Sequence, residues 1–295
     1  LEIPETFEED IRNSLYKRLE EVPDHAELNV EFNTEEKHLA LAIPLKKTDG
    51  WYSLGDYTIQ ATDFPPIAHG VFNGVDSEHL DKKLSTIDWR DDPHLVSLSE
   101  EKEEFEFDPE VEEMEEELWR LALDPTGKII VDQLRVKHFL GAPYFEATIN
   151  DEAFEWLASL PKKTTRFPVD IPVPQAIHMM SGRPVHGRFQ EWNRSDTWLK
   201  VDYQNSDTGN IVSIEGIAET DLEAMVDMLP VNSRRKANIV TDLKSGKRVG
   251  EISTYRTLFY VELSTDARTL QLYNHQGKFI PFNFRLDPNW NPVDT

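Results

Sequence analysis

The chain has 295 residues, 39% of them hydrophobic and 10% aromatic, no cysteine, and a net charge of -24. That apolar content suffices for a sizeable core and excludes wholesale disorder, despite a mean hydropathy of -0.54. The absence of cysteine excludes disulfides, thiolate-bound metals and a thiol nucleophile, and no apolar run of about 18 residues is present to span a membrane.

The charge is lopsided: residues 1–150 carry a net -22 and residues 151–295 a net -2. An acidic half repels nucleic acid and anionic lipid and suits basic surfaces or cations. No direct nucleic-acid binding is therefore expected of the N-terminal half. Leu1 stands where a methionine would, as expected of a processed product or a fragment. The cysteine-free composition points to the cytoplasm.

Thr6 and Glu9 form a capping box ahead of Phe7, Ile11, Leu15 and Leu19, which predicts a helix over about 7–21. Ala26, Leu28, Val30 and Phe32 alternate with polar residues as a half-buried strand. Further strands are predicted at about 38–45, ending near Pro44, and at about 51–61. Residues 62–75 read as loop, followed by a short helix near 77–85 and a polar connection over 86–108. Asp108 and Pro109 start a helix whose apolar face is Val111, Met114, Leu118 and Leu121. Asp124, Pro125 and Gly127 read as its stop. Strands near 128–133 and 143–149 follow, then a helix near 151–160 with Phe154, Leu157 and Leu160 on one side.

The prolines between Pro161 and Ala176 read as an extended linker. The expected domains are an acidic one, 1–164, and a β-rich one, 165–295. In the latter, strands are predicted at about 185–192, 197–204, 210–217, 237–243, 247–255, 258–264, 268–274 and 278–284. Ser245-Gly246 and Gln276-Gly277 are the expected hairpin turns, and Thr220 with Glu223 caps a short helix near 220–229. The fold class is α+β: a mixed helix and antiparallel-sheet N-terminal domain with a β-rich, barrel- or sandwich-like C-terminal domain.

Residues 100–117 hold twelve acidic side chains and one lysine. Glu103 and Glu104 precede the capped helix; Glu112, Glu113 and Glu116 lie on it. Such a run is either a solvated face or a docking surface for the arginines and lysines of a basic partner. It lacks the spacing and glycine of an EF-hand loop. Basic residues cluster only in the second half, where Arg183 and Arg188 with Trp192 and Trp198 are candidates for a second interaction surface. His178 and His186, or Asp242 with Lys244 at a predicted strand end, could serve a metal-dependent hydrolase. No phosphate loop, dinucleotide fingerprint or serine-nucleophile motif occurs, and no metal or cofactor is implied.

Four stretches occur in a recognisable order. They are Met180-Ser181-Gly182-Arg183-Pro184-Val185, then Thr197 to Tyr203 with Asp207 and Gly209-Asn210. Asp221 to Ala224 with Leu229-Pro230-Val231 follows, and last Arg234-Arg235 through Gly246-Lys247 with Leu270 to Asn274. Over about 175–285 the chain resembles an uncharacterised domain family of Bacteroidetes conjugative elements and related phages. The resemblance implies a mobile-element setting and no particular reaction. Together these features favour a non-enzymatic binding or scaffold protein whose acidic domain docks on a basic protein. A nucleic-acid-mimicking inhibitor and a metal-dependent nuclease or hydrolase are the alternatives.

Overall fold

The structure, a computed structural model, describes residues 25–34, 37–48, 51–89, 96–99, 104–142, 145–192, 194–229, 231–254, 257–274 and 278–280. Helices and sheets are both abundant, and the fold is α+β. The predicted helix at 7–21 and the Gln276-Gly277 turn lie outside the described residues. The chain divides into two compact units, one of Leu1–Leu28, Ala42–Ile59 and Lys163–Thr295, the other of Asn29–Leu41 and Gln60–Lys162.

Strands β1 (His25–Asn33) and β2 (Lys37–Thr48) follow the alternation in the sequence. Leu28, Phe32, Leu39, Leu41 and Leu45 are buried, while Glu27, Glu31 and Lys46 face solvent. Pro44 does not end β2; its carbonyl accepts the Gly55 N–H at 3.0 Å. The single strand expected over 51–61 is two, β3 (Trp51–Leu54) and β4 (Tyr57–Asp63), broken at Gly55 and Asp56 so that β3 can fold back antiparallel on β2.

The unit built mainly from 60–162 is helical. The stretch expected to be loop carries a two-residue hairpin, β5 (Val71–Phe72) and β6 (Val75–Asp76). Asn73 and Gly74 both take positive φ, 50° and 79°, as a tight hairpin turn with the sheet's twist requires. Asp76 then caps α1 (Ser77–Leu84) by accepting from the N–H groups of Glu78 and His79. The expected polar connection contains a second hairpin, β7 (Val96–Ser99) with β8 (Glu104–Phe107). Asp108 caps α2 (Pro109–Ala122), and Val111, Met114, Leu118 and Leu121 are buried as their spacing predicts.

Asp124, Pro125 and Gly127 do not merely stop α2; they start α3 (Pro125–Phe139), with Asp124 as its cap. No strand forms at 128–133, and 146–148 is a 3-10 turn. Asn150 caps α4 (Asp151–Ser159), whose inward residues are Ala153 and Leu157, while Phe154 turns toward solvent. The core joins Leu80, Leu84, Met114, Leu118, Leu134 and Phe139. Trp89 packs edge-on against Phe139 and Phe145 at 4.7 and 4.8 Å and donates its indole N–H to the Leu84 carbonyl.

In the other unit the proline-rich stretch is not a linker. It holds β9 (Lys162–Phe167) and α5 (Val173–Met180), and Thr165, Phe167 and Ile171 are buried. Tyr57 stacks on Phe167 at 5.6 Å and donates its hydroxyl to the Ile171 carbonyl at 2.6 Å. Strands β10 (Val185–Arg188), β11 (Asp196–Asp202) and β12 (Thr208–Ile214) form an antiparallel meander. β9 runs parallel to β12, which extends the meander to the order β9-β12-β11-β10.

Helix α6 (Glu219–Asp227) begins after Ala218, so Thr220 lies inside it and the expected capping box does not form. The strand expected at 237–243 is part of α7 (Ser233–Lys244), capped by Asn232. Ser245 and Gly246 end that helix rather than turn a hairpin; Gly246 has φ +81, the left-handed conformation favoured just past a helix end. Strands β13 (Val249–Thr254), β14 (Thr257–Leu263), β15 (Leu270–Asn274) and β16 (Phe279–Ile280) follow as an antiparallel sheet. Phe259, Val261, Leu270 and Leu272 pack with Leu222, Val226, Ile239 and Leu243 in one core.

Candidate docking surface

On an α-helix, residues 112, 116, 119 and 123 fall within about 60° of arc. On α2 these are Glu112, Glu116, Trp119 and, at its C-cap, Leu123. They lie opposite the buried Val111, Met114, Leu118 and Leu121. The helix therefore presents one outward stripe that is acidic in its first turns and apolar at its end. Trp119 and Leu123 are 61% and 60% exposed.

The other acids on α2 are used internally. Glu115 accepts from Arg135 Nη2 on α3 at 3.1 Å, and Glu117 accepts from Lys83 Nζ on α1 at 3.2 Å. Glu113 lies 3.8 Å from the same lysine and is largely exposed. Glu112 and Glu116 are exposed and make no ion pair with a described residue. Glu103 and the Glu104 side chain lie outside the described residues. Sequence reading identified the acids but missed Trp119 and Leu123, although continuing the same helical spacing by three and seven residues from Glu116 reaches both.

The candidates for a second surface have local duties. Arg183 Nε donates to the Gly246 carbonyl at 2.8 Å. Arg188 makes a two-pronged pair with Asp196 at 3.0 and 2.9 Å, and Trp192 packs edge-on to Phe189. Trp198 is a core residue, only 5% exposed, whose indole N–H bonds the Ile217 carbonyl at 3.0 Å. It is therefore not available as a surface residue.

The hydrolase candidates likewise have local partners. His178 is buried, with Nδ1 2.8 Å from the Ser245 carbonyl, while His186 lies against the Trp198 ring. Asp242 and Lys244 sit in the last turn of α7, not at a strand end, and pair with Lys247 and Glu219. Among the described residues no group of three or more His, Asp or Glu is arranged to hold a metal.

One polar cluster had no sequence signal. Ser77 Oγ accepts the Gly70 N–H at 3.0 Å and lies 3.2 Å from His69 Nδ1. His69 Nε2 is 3.5 Å from Asp81, which also receives His138 at 2.7 Å and Lys137 at 2.9 Å. The order Ser, His, Asp is that of a nucleophilic relay. Ser77, however, is fully buried and already engaged by Gly70. Its position fastens the 64–70 loop onto α1 rather than offering an oxygen to a substrate.

An open groove of about 620 Å³ lies beside α6, lined by the apolar Ile217, Ala224, Met225 and Met228 and by the charged Glu215, Asp221 and Arg268. These opposite charges select no single ligand sign. No helix among the described residues is long and apolar enough to cross a membrane. No protein-family model matches the sequence, and no curated protein or solved structure matches it either.

Proposed function

We propose that this is a non-enzymatic binding or scaffold protein whose acidic half docks on a basic protein. The supporting observation is the outer face of α2, where Glu112 and Glu116 stand exposed one turn apart without a described counter-ion. Their neighbours Glu115 and Glu117 are consumed in holding the helix to α3 and α1. A partner's lysines and arginines would complete the exposed pair, with Glu113 beside them. Exposed charges attract weakly across a Debye length of about 8 Å at physiological salt, so such docking is salt-sensitive. The setting we propose follows only from the sequence resemblance over about 175–285: the cytoplasm of a cell carrying a conjugative element or phage.

The test is fluorescence anisotropy of a labelled 14-residue oligolysine against the full chain across a salt series. Affinity is expected to fall steeply with salt. The triple variant Glu112→Gln, Glu113→Gln, Glu116→Gln is expected to weaken binding about tenfold more than Glu146→Gln, Asp151→Asn, Glu155→Gln, which removes equal charge elsewhere on the same unit. Equal losses from the two triples would mean that only net charge acts, and would overturn the assignment to α2.

A further inference from the structure

We infer that the surface on α2 receives an amphipathic basic helix, with lysines or arginines over Glu112 and Glu116 and apolar side chains over Trp119 and Leu123. This rests on the docking reading and adds the partner's shape and its apolar half. The stripe is continuous: four side chains within about 60° of arc span twelve residues, or about 16 Å of helix. A charge-only partner would leave its apolar end uncovered. Large apolar side chains scattered singly on a surface are ordinary, whereas two adjoining ones at one end of an acidic stripe form a graded surface.

The corner around that end is held by neighbouring elements. The hairpin of β5 and β6 is anchored there by Asn73, whose side-chain amide donates to the Arg120 carbonyl at 3.0 Å. The first turn of α3 approaches so closely that a Cβ on Gly127 would stand 2.1 Å from the Leu121 carbonyl oxygen. Val71 on that hairpin and Ile129 on α3 are also well exposed. Charge complementarity fixes the partner's sign and which of its halves meets which half of the stripe. Its basic turns meet the N-terminal half of the stripe, and its apolar turns meet the C-terminal half. A tryptophan that becomes desolvated at a contact commonly carries much of its energy, so binding should outlast the salt that dissolves a purely ionic contact.

The experiment compares three labelled peptides on the full chain. One is a 14-residue peptide with lysines in its first two turns and leucines along one side of its last two. The second is oligolysine of equal charge, and the third is the first peptide with a central proline. The lysine–leucine peptide is expected to bind best, to lose less affinity than oligolysine between 50 and 300 mM salt, and to weaken at least about tenfold with Trp119→Ala or Leu123→Ala. Oligolysine is expected to ignore both substitutions, and proline is expected to abolish the advantage. Circular dichroism of the two exposed-site variants checks that they fold.

If Trp119→Ala and Leu123→Ala leave the lysine–leucine peptide unaffected while the acidic triple weakens oligolysine, the amphipathic partner is wrong and charge docking stands. If neither peptide binds, both readings fall. If sedimentation shows self-association that Trp119→Ala abolishes, the stripe belongs to a second copy of the chain and the basic helix is wrong.

Discussion

His138 brings its Nε2 to 2.7 Å from Asp81 Oδ1, tying the last turn of α3 to the middle of α1. Lys137 adds contacts of 2.9 Å to both carboxylate oxygens. Burial opposes the ionised carboxyl, but the hydrogen bonds and positive charge of His138 and Lys137 prevail and hold Asp81 at about 2. A carboxyl lowered by folding stabilises the protein above its ordinary range, and that stability is lost as pH falls from about 4 through about 2. The contribution is about 2 kcal/mol. Asp81→Asn is expected to cost that much at pH 7, with the gap from wild type shrinking toward pH 2. Urea unfolding at pH 7 and pH 2.5 measures it; an unchanged gap would remove the carboxylate's charge as the cause.

His178 works in a separate window. Burial pushes its imidazole down to about 4, with Arg183 and Lys247 acting in the same direction against the bond to the Ser245 carbonyl. A histidine lowered by folding gives stability that is present above its ordinary range and lost as pH falls from about 6.5 toward 4. Up to about 3 kcal/mol is at stake. His178→Asn keeps an N–H for Ser245 without titrating. It is expected to cost about 1 kcal/mol at pH 7 and to flatten the loss of stability between pH 7 and pH 4.5. The same steepness in both proteins would place the titrating group elsewhere.

The two aspartate caps on consecutive helices should differ in strength. Asp108 Oδ1 accepts from one backbone N–H, that of Glu110 at 2.8 Å. Asp124 Oδ1 accepts from two, Thr126 at 2.8 Å and Gly127 at 3.1 Å. Removing a capping side chain costs about 0.5–2 kcal/mol. Asp108→Ala is expected near the lower end and Asp124→Ala near the upper. Thermal unfolding of the two single variants ranks them, and the reverse order would contradict the geometry.

That pair also shows where the sequence was legible. Asp108 and Pro109 announced a helix because Val111, Met114, Leu118 and Leu121 follow at helical spacing, and all four are buried. Asp124 and Pro125 carry the same local signal, but Gly127 and the run Ile129-Ile130-Val131 point to a strand. Packing decided otherwise, with Ile130, Val131 and Leu134 entering the helical core. The same conflict hid α7, where Ile239, Val240 and Thr241 suggested a strand but Ile239 and Leu243, four apart, meet the sheet. The parallel pairing of β9 with β12 and the meeting of Asp81 with His138, 57 residues away, are non-local. No window of sequence contains either. The acids on the outer face of α2 were legible because one helix carries them.

The sharpest test of the α2–α3 corner is Gly127→Ala. Inside an exposed helix, alanine in place of glycine gains about 1 kcal/mol. Here the added carbon would sit 2.1 Å from the Leu121 carbonyl oxygen and 3.1 Å from the Leu121 carbonyl carbon. Both are backbone atoms that no rotamer change can move. α3 must shift off α2 or the two helix ends must deform, and forced overpacking costs about 1–3 kcal/mol. The clash outweighs the propensity gain, so Gly127→Ala is expected to destabilise by about 1–2 kcal/mol in urea unfolding. A control substitution, Thr126→Ala, lies one residue away in the same helix turn and at an exposed position; it should change stability by less than about 0.5 kcal/mol. Stabilisation by Gly127→Ala would mean that α3 does not approach the Leu121 backbone this closely, and the corner that carries Trp119 and Leu123 would need a different geometry.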